Sequence, residues 1–184
     1  MWDDGFSIAM CGTPDIEIIQ HEGGGHGFGL LADEYGGGEE GPSAAVIQGI
    51  ANSHKDGWFL NIDTESDPSK VLWKDFISNA DYKVEGIGVY EGGYIYDKGV
   101  YRPTEHSVMK DNFGIFNAPS RWAIYQRIMK LAGESYTFDD FLKYDKKNLE
   151  SIAKTRSYNE NKSQFTPGKR PVIYNYPSSE IGMH

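Results

Sequence analysis

Hydrophobic and polar positions change their period several times along the 184 residues. Phe6-Ser-Ile-Ala-Met-Cys11 is a short apolar run closed by Gly12-Thr-Pro14-Asp15, which predicts a buried strand and a turn. Asp15 is a candidate N-cap for a helix that opens with Ile16, Ile18 and Ile19 and runs through His26. Gly27 or Gly29 is expected to end that helix in a left-handed conformation. Residues 36–41 (GGGEEG) read as a flexible break, and Pro42 opens an amphipathic segment carrying Ala44, Ala45, Val46, Ile47 and Ile50. Residues 58–62 are apolar, residues 63–70 a polar loop, and Val71 to Phe76 a short helix with Trp73 in the core or a cleft wall.

From Tyr82 the pattern turns to strand. Ile87, Val89 and Tyr90 lead into Glu91-Gly92-Gly93 and then Tyr94, Ile95 and Tyr96; Asp97-Lys98-Gly99 reads as a turn before Val100, Tyr101 and Arg102. The expected motif is a hairpin whose glycines admit a close neighbour. Asn117-Ala-Pro-Ser120 starts a helix with Trp122, Ile124, Tyr125, Ile128, Met129 and Leu131 on its apolar face, and Gly133 stops it. Thr137 to Leu142 begins a further short helix, followed by a lysine-bearing stretch to Lys154. The pattern predicts one domain over residues 1–154 and a polar, extended tail over residues 155–184. Its fold class is α/β in the broad sense, of the α+β kind.

The chemistry concentrates in His21-Glu-Gly-Gly-Gly-His-Gly-Phe-Gly-Leu-Leu-Ala-Asp-Glu-Tyr35. Two imidazoles, His21 and His26, flank Glu22, and two further acids, Asp33 and Glu34, follow. Neutral nitrogen donors, an oxygen donor and a free carboxylate are the parts of a catalytic zinc site. The usual spacing, His-Glu-x-x-His, puts both rings on one helical face; here there is one residue more. On an α-helix an i,i+5 pair is rotated apart by roughly 140°. A π-bulge, which closes i→i+5, restores the common face, and Gly23, Gly24 and Gly25 tolerate it. Those glycines cost roughly 1 kcal/mol each in helix propensity, so packing must hold the segment. The run Gly25 to Gly29 also has the look of a phosphate loop, but no βαβ context accompanies it and the histidines have no part in that scheme.

This segment resembles the active site of the IgA-peptidase family of zinc metallopeptidases, in particular its Bacteroides-type members with the lengthened His-Glu-x-x-x-His motif. Residues 90–102 (YEGGYIYDKGVYR), 107–112 (SVMKDN) and 118–133 (APSRWAIYQRIMKLAG) extend the likeness over roughly residues 5–144. Dipeptidyl-peptidase III-type enzymes likewise bind zinc through a motif one residue longer. The resemblance implies a metzincin-like fold, zinc held by His21, His26 and a third ligand, and Glu22 as general base. In the metzincin motif the third ligand stands six residues after the second histidine, which here is Ala32. Asp33, a short carboxylate reached by a tight turn, is expected in its place. Glu34 is the alternative, and either acid has the other role of orienting a histidine. Ser107-Val108-Met109 resembles the metzincin Met-turn, with Met109 as a packing floor. Arg102 and Tyr101 are candidates for oxyanion or substrate contact, against a structural ion pair for the arginine. His54 and His106 are expected to be exposed or structural, not ligands.

Composition narrows the partners. A net charge of −9 with pI near 5.0 excludes a basic nucleic-acid face. No apolar run reaches the 18 residues of a membrane span, and one cysteine, Cys11, allows no intrachain disulfide. The expected partner is a peptide or protein substrate. The resemblance implies a secreted or cell-surface protein, although no signal peptide follows Met1. Family members carry sheet-forming sequence ahead of the active-site helix, and this chain has little, so the expectation is a truncated gene product, a fragment or a reduced catalytic domain. The competing expectation is a non-catalytic remnant that binds glycan or peptide through its tyrosine-rich face.

Overall fold

The helix expected from Ile16 changes pitch after a single turn. The structure, a computed structural model, describes residues 16–112 and 114–162; the expected strand at Phe6 to Cys11, the Asp15 cap and residues 163–184 lie outside the described residues. One α-turn, α1 (Ile16–Ile19), passes directly into a π-helix (Gln20–Phe28). Its closing bond runs from Gly29 N–H to Gly24 O at 2.8 Å, an i→i+5 ring. The left-handed residue comes later than expected. Gly29 stays right-handed at φ −75°, and Leu30, at φ 55°, turns the chain. Gly29 is glycine for space instead: a Cβ there would lie 2.9 Å from Ile124 and 3.0 Å from the carbonyls of Gly24 and Gly25.

Beyond the turn, neighbouring residues enter different cores. Leu31 packs with Val108, Met109 and Ala123, whereas Ala32 packs with Ile50, Ile62 and Val100. The expected flexible break then forms a strand, β1 (Gly36–Glu39), parallel to β3 (Ile95–Arg102), which pairs antiparallel with β2 (Tyr90–Gly93) in the order β1-β3-β2. Its glycines permit that close approach. A Cβ on Gly36 would meet the Asp97 carboxylate, and one on Gly37 would lie 3.1 Å from Ile95 O. The hairpin turns at Tyr94 and Ile95, both left-handed at φ 49° and 68°, not at residues 97–99. Those residues form an irregularity within β3, where the register shifts between Glu91↔Tyr101 and Gly93↔Tyr96 and Gly99 takes φ 73°.

Helix α2 (Ala44–Lys55) begins at Ser43, whose hydroxyl accepts from Val46 N–H. Helix α3 (Lys74–Ser78) starts later than expected, and the strand pattern expected from Tyr82 is preceded by a 3-10 helix over residues 80–85 that takes in Tyr82 itself. Trp73, Phe76 and Tyr82 all bury into one cluster with Val71, Ala118 and Phe141. Helix α4 (Val108–Asp111) is short; α5 (Ala118–Ala132) is capped by Asn117 and ended by Gly133 at φ 70°. Helix α6 (Phe138–Lys162) is one long helix that continues through residues expected to begin an extended tail. The fold is thus mixed α and β, with a small sheet and predominant helices, and no described helix is long and apolar enough to cross a membrane.

Arg121 ties α5 to the 3-10 helix and α6. Its guanidinium bridges Glu85 and Asp145, whose side chains are 4% and 1% exposed, and also donates to Phe116 O at 2.7 Å. Removing one member of a buried charge cluster leaves the rest uncompensated. Arg121→Met is therefore expected to lower the unfolding free energy by about 3–5 kcal/mol, read from urea denaturation; a change below about 1 kcal/mol would show that the cluster is not holding the helices together.

Candidate metal centre

The wide π-turn brings residues five apart over one another, and with them the two imidazoles. His21 Nε2 and His26 Nε2 lie 3.0 Å apart, and Asp33 Oδ1 lies 3.0 Å from the first and 3.2 Å from the second. Among the described residues this is the only group of three or more His, Cys, Asp or Glu side chains with donor atoms so close. His21 is buried, while His26 and Asp33 keep 29% and 23% of their side chains exposed, so the cluster opens to solvent on one side.

The second ring nitrogens decide what can sit there. His21 Nδ1 is 2.8 Å from Val108 O, and His26 Nδ1 is 2.8 Å from Leu31 O. A carbonyl oxygen only accepts, so each Nδ1 carries the hydrogen and each neutral ring turns a bare lone pair inward at Nε2. Three acceptors then converge with no donor between them. One added proton serves one pair and leaves the third acceptor opposed; a cation at the centre satisfies all three. Tetrahedral zinc with bonds of about 2.0–2.1 Å sets its ligand atoms about 3.3 Å apart, close to the separations here. Two imidazoles and a carboxylate are also a donor set zinc uses.

Charge follows the same logic. Burial disfavours the imidazolium forms, yet the Asp33 carboxylate and the main-chain carbonyls outweigh it and raise both histidines above their ordinary value. Against the same burial, the histidines hold Asp33 well below the usual carboxylate range. Both shifts favour positive charge at the cluster.

Glu34, the alternative third ligand, points the other way. It is fully buried, and its carboxylate accepts from Asn61 (2.9 Å), Ser107 (2.6 Å), Asn117 (3.0 and 2.9 Å) and Ser120 (3.3 Å). Burial pushes its pKa up, and these four donors work against that shift. Asn61 also brackets Ala32, accepting from its N–H and donating to its carbonyl, both at 2.8 Å. The ligand segment is thus clamped on both sides of Asp33. Met109 is completely buried, its sulfur filling the space where a Cβ on Gly25 would lie, and Met109 O accepts from Glu34 N–H at 2.9 Å. The short helix α4 thus meets the site through Val108, whose carbonyl accepts from His21, and Met109, which packs against Gly25.

The other candidates are placed elsewhere. Arg102 spends its guanidinium on the carbonyls of Glu91, Gly92 and Thr104, stitching the hairpin, in place of the expected ion pair. Tyr101 packs against the aromatic core and pairs its backbone with Asp63. His54 is half-buried in the last turn of α2, not in an exposed loop, and exposed His106 pairs with Asp111 at 2.8 Å. Glu22 is exposed beside His21, and its charge is felt at His26 and at Tyr35. The periodicity gave no sign of Asn61 or Tyr35. Asn61 sits inside an apolar run, and Tyr35 ends the motif with no assigned partner; burial and the Asp33 charge raise the pKa of its phenol.

Comparison with family models and with curated proteins finds no match to this chain. The two acids therefore have to be told apart by experiment on this protein. Glu34→Ala strands four buried donors and is expected to cost at least about 3 kcal/mol. Asp33→Ala is expected to keep the fold and lose tight metal binding. Urea denaturation of the metal-free variants and zinc titration check both; tight zinc binding by Asp33→Ala would remove Asp33 from the ligand set.

Proposed function

We propose that this chain is a metzincin-like zinc endopeptidase domain of the kind its sequence resembles, with His21, His26 and Asp33 holding the ion. The observation that carries the reading is the convergence of two imidazole nitrogens and one carboxylate oxygen, next to an exposed carboxylate on the residue following His21. The buried Met109 beneath Gly25 and the Val108 anchor of His21 support the metzincin likeness.

Zinc in such a set supplies Lewis acidity, bringing the pKa of a water to near ~7 and polarising a carbonyl oxygen. Everything else falls to the protein. The main-chain carbonyls of Val108 and Leu31 fix the tautomer and the aim of both imidazoles. Glu22 takes a proton from the attacking water on its carboxylate oxygen and returns it to the departing amine nitrogen. It is exposed, and among the described residues it makes no hydrogen bond that would hold it away from such a water. The substrate class is peptide, with no preference for immunoglobulin implied.

Purified protein is expected to hold close to one zinc per chain by elemental analysis, and the double variant His21→Ala/His26→Ala none. Glu22→Gln keeps size and hydrogen bonding but loses the base. It is expected to retain zinc while hydrolysis of a casein-type substrate falls by about 10²–10⁴-fold. Undiminished cleavage by Glu22→Gln rejects the mechanism. Stoichiometric zinc with no cleavage by the wild type favours the non-catalytic binding domain.

A further inference from the structure

The flank of the π-helix turned away from the metal cluster borders a groove. Gly24 and Phe28 stand about half a turn round the helix from His21 and His26. With Ile124 and Ile128 of α5 and Phe141 and Tyr144 of α6 they line a hollow of about 330 Å³, and the Arg121–Asp145 ion pair lies in its wall. The lining is almost wholly apolar, yet Ile128 is 46% and Tyr144 74% exposed. On α5 the apolar line runs on from Ile128 to exposed Leu131, so a whole helix face lies open beside the hollow.

Charge at the rim has the opposite sign to the chain. The protein carries a net charge of −9, but α5 contains no Asp or Glu. Its Arg127 guanidinium lies over the Phe28 ring, 5.7 Å from the centroid, with Nε buried and unpartnered. On the α6 side, a second hollow shares Tyr144 and Asn148 with the first and is lined by Lys143 and Lys147. Asp140 lines it too and pairs with Lys143 at 3.5 Å; among the described residues Arg127 and Lys147 form no ion pair.

We infer that this groove docks an acidic amphipathic helix of a partner protein, its apolar face on Phe28, Ile128 and Tyr144 and its flanking carboxylates against Arg127 and Lys147. The walls are largely helical and present no free strand edge. An extended segment would lay unpaired N–H and C=O groups on apolar surface, whereas a helix satisfies its own. The rim cations select carboxylates on the partner and repel a basic one. The groove lies on the other flank of the π-helix from the cluster, and the inference does not depend on the metal-centre reading.

The probe is a fluorescein-labelled peptide of about 16 residues, long enough to hold a helix, with leucines along one face and glutamates on both flanks. A control peptide carries lysine for each glutamate. Fluorescence anisotropy against the full chain is expected to show saturable binding of the glutamate peptide and at least about tenfold weaker binding of the lysine peptide. Ile128→Asp is expected to weaken the glutamate peptide about tenfold or more, and Arg127→Glu/Lys147→Glu to reverse the preference. Should Ile128→Asp melt below wild type, the charge reversal at the rim decides alone. No binding, equal binding of both peptides, or binding that neither variant moves overturns the inference. A dimer in sedimentation that Ile128→Asp dissociates gives the groove to a second copy. A dye on Cys11 whose emission shifts on Ile128→Asp gives it to the chain's own first residues. Either result overturns the partner helix.

Discussion

A fully buried carboxylate, Glu34, is the point from which the rest of the structure hangs. Burying a charge is expensive unless it is hydrogen-bonded throughout, and four side chains from distant parts of the sequence meet that demand. Asn61 comes from the segment after α2, Ser107 from the start of α4, and Asn117 and Ser120 from the start of α5. Asn117 serves twice, donating to Glu34 and accepting from Ser120 N–H as the cap of α5. Satisfying one acid therefore fixes where two helices, α4 and α5, begin.

That clamp is what allows the preceding residue to do something unfavourable. Asp33 and the two imidazoles present lone pairs to one another, an arrangement that repels itself in the absence of a cation. It persists because each member is tied at its back. Val108 and Leu31 hold the rings, Asn61 and Met109 hold the main chain around Asp33, and Tyr94 N–H caps Asp33 O. Stability elsewhere in the fold, chiefly the aromatic cluster of α3, α5 and α6, underwrites local structure of low intrinsic preference.

The glycines show the same division. Gly23 to Gly25 lower helix propensity, yet they permit the π-turn that aligns the histidines, and Gly25 leaves room for the Met109 sulfur. Gly29 was expected to supply a left-handed cap and instead supplies clearance from Ile124 and from the carbonyls of its own helix. Leu30 takes the left-handed conformation in its place, a strained choice for a branched residue. Its carbonyl accepts from Phe59 N–H at 2.8 Å, which holds the turn.

Much of the site was legible because local chemistry writes it into adjacent residues. The reactive side chains fall within fifteen positions, the extra residue between the histidines demanded a wide turn, and Asn117 and Gly133 marked the ends of α5 by capping rules that act within a few residues. Legibility failed wherever the deciding contact was distant. The glycines of β1 signal flexibility alone and become a strand only beside Ile95 and Asp97. Residues 80–85 alternate acceptably for a strand, but Tyr82 must reach Phe76 and Asp145, and a 3-10 turn takes it there. Asp33 and Glu34 are nearly equivalent in sequence and opposite in the fold. One faces two imidazoles and solvent; the other faces Asn61, Ser107, Asn117 and Ser120 in the interior. The sequence by itself determined which side chains are available for a metal and the pitch that aligns the histidines, since both follow from residue type and spacing. Which carboxylate joins them was decided only by the tertiary structure, because hydrogen-bond donors up to 86 residues away claim Glu34.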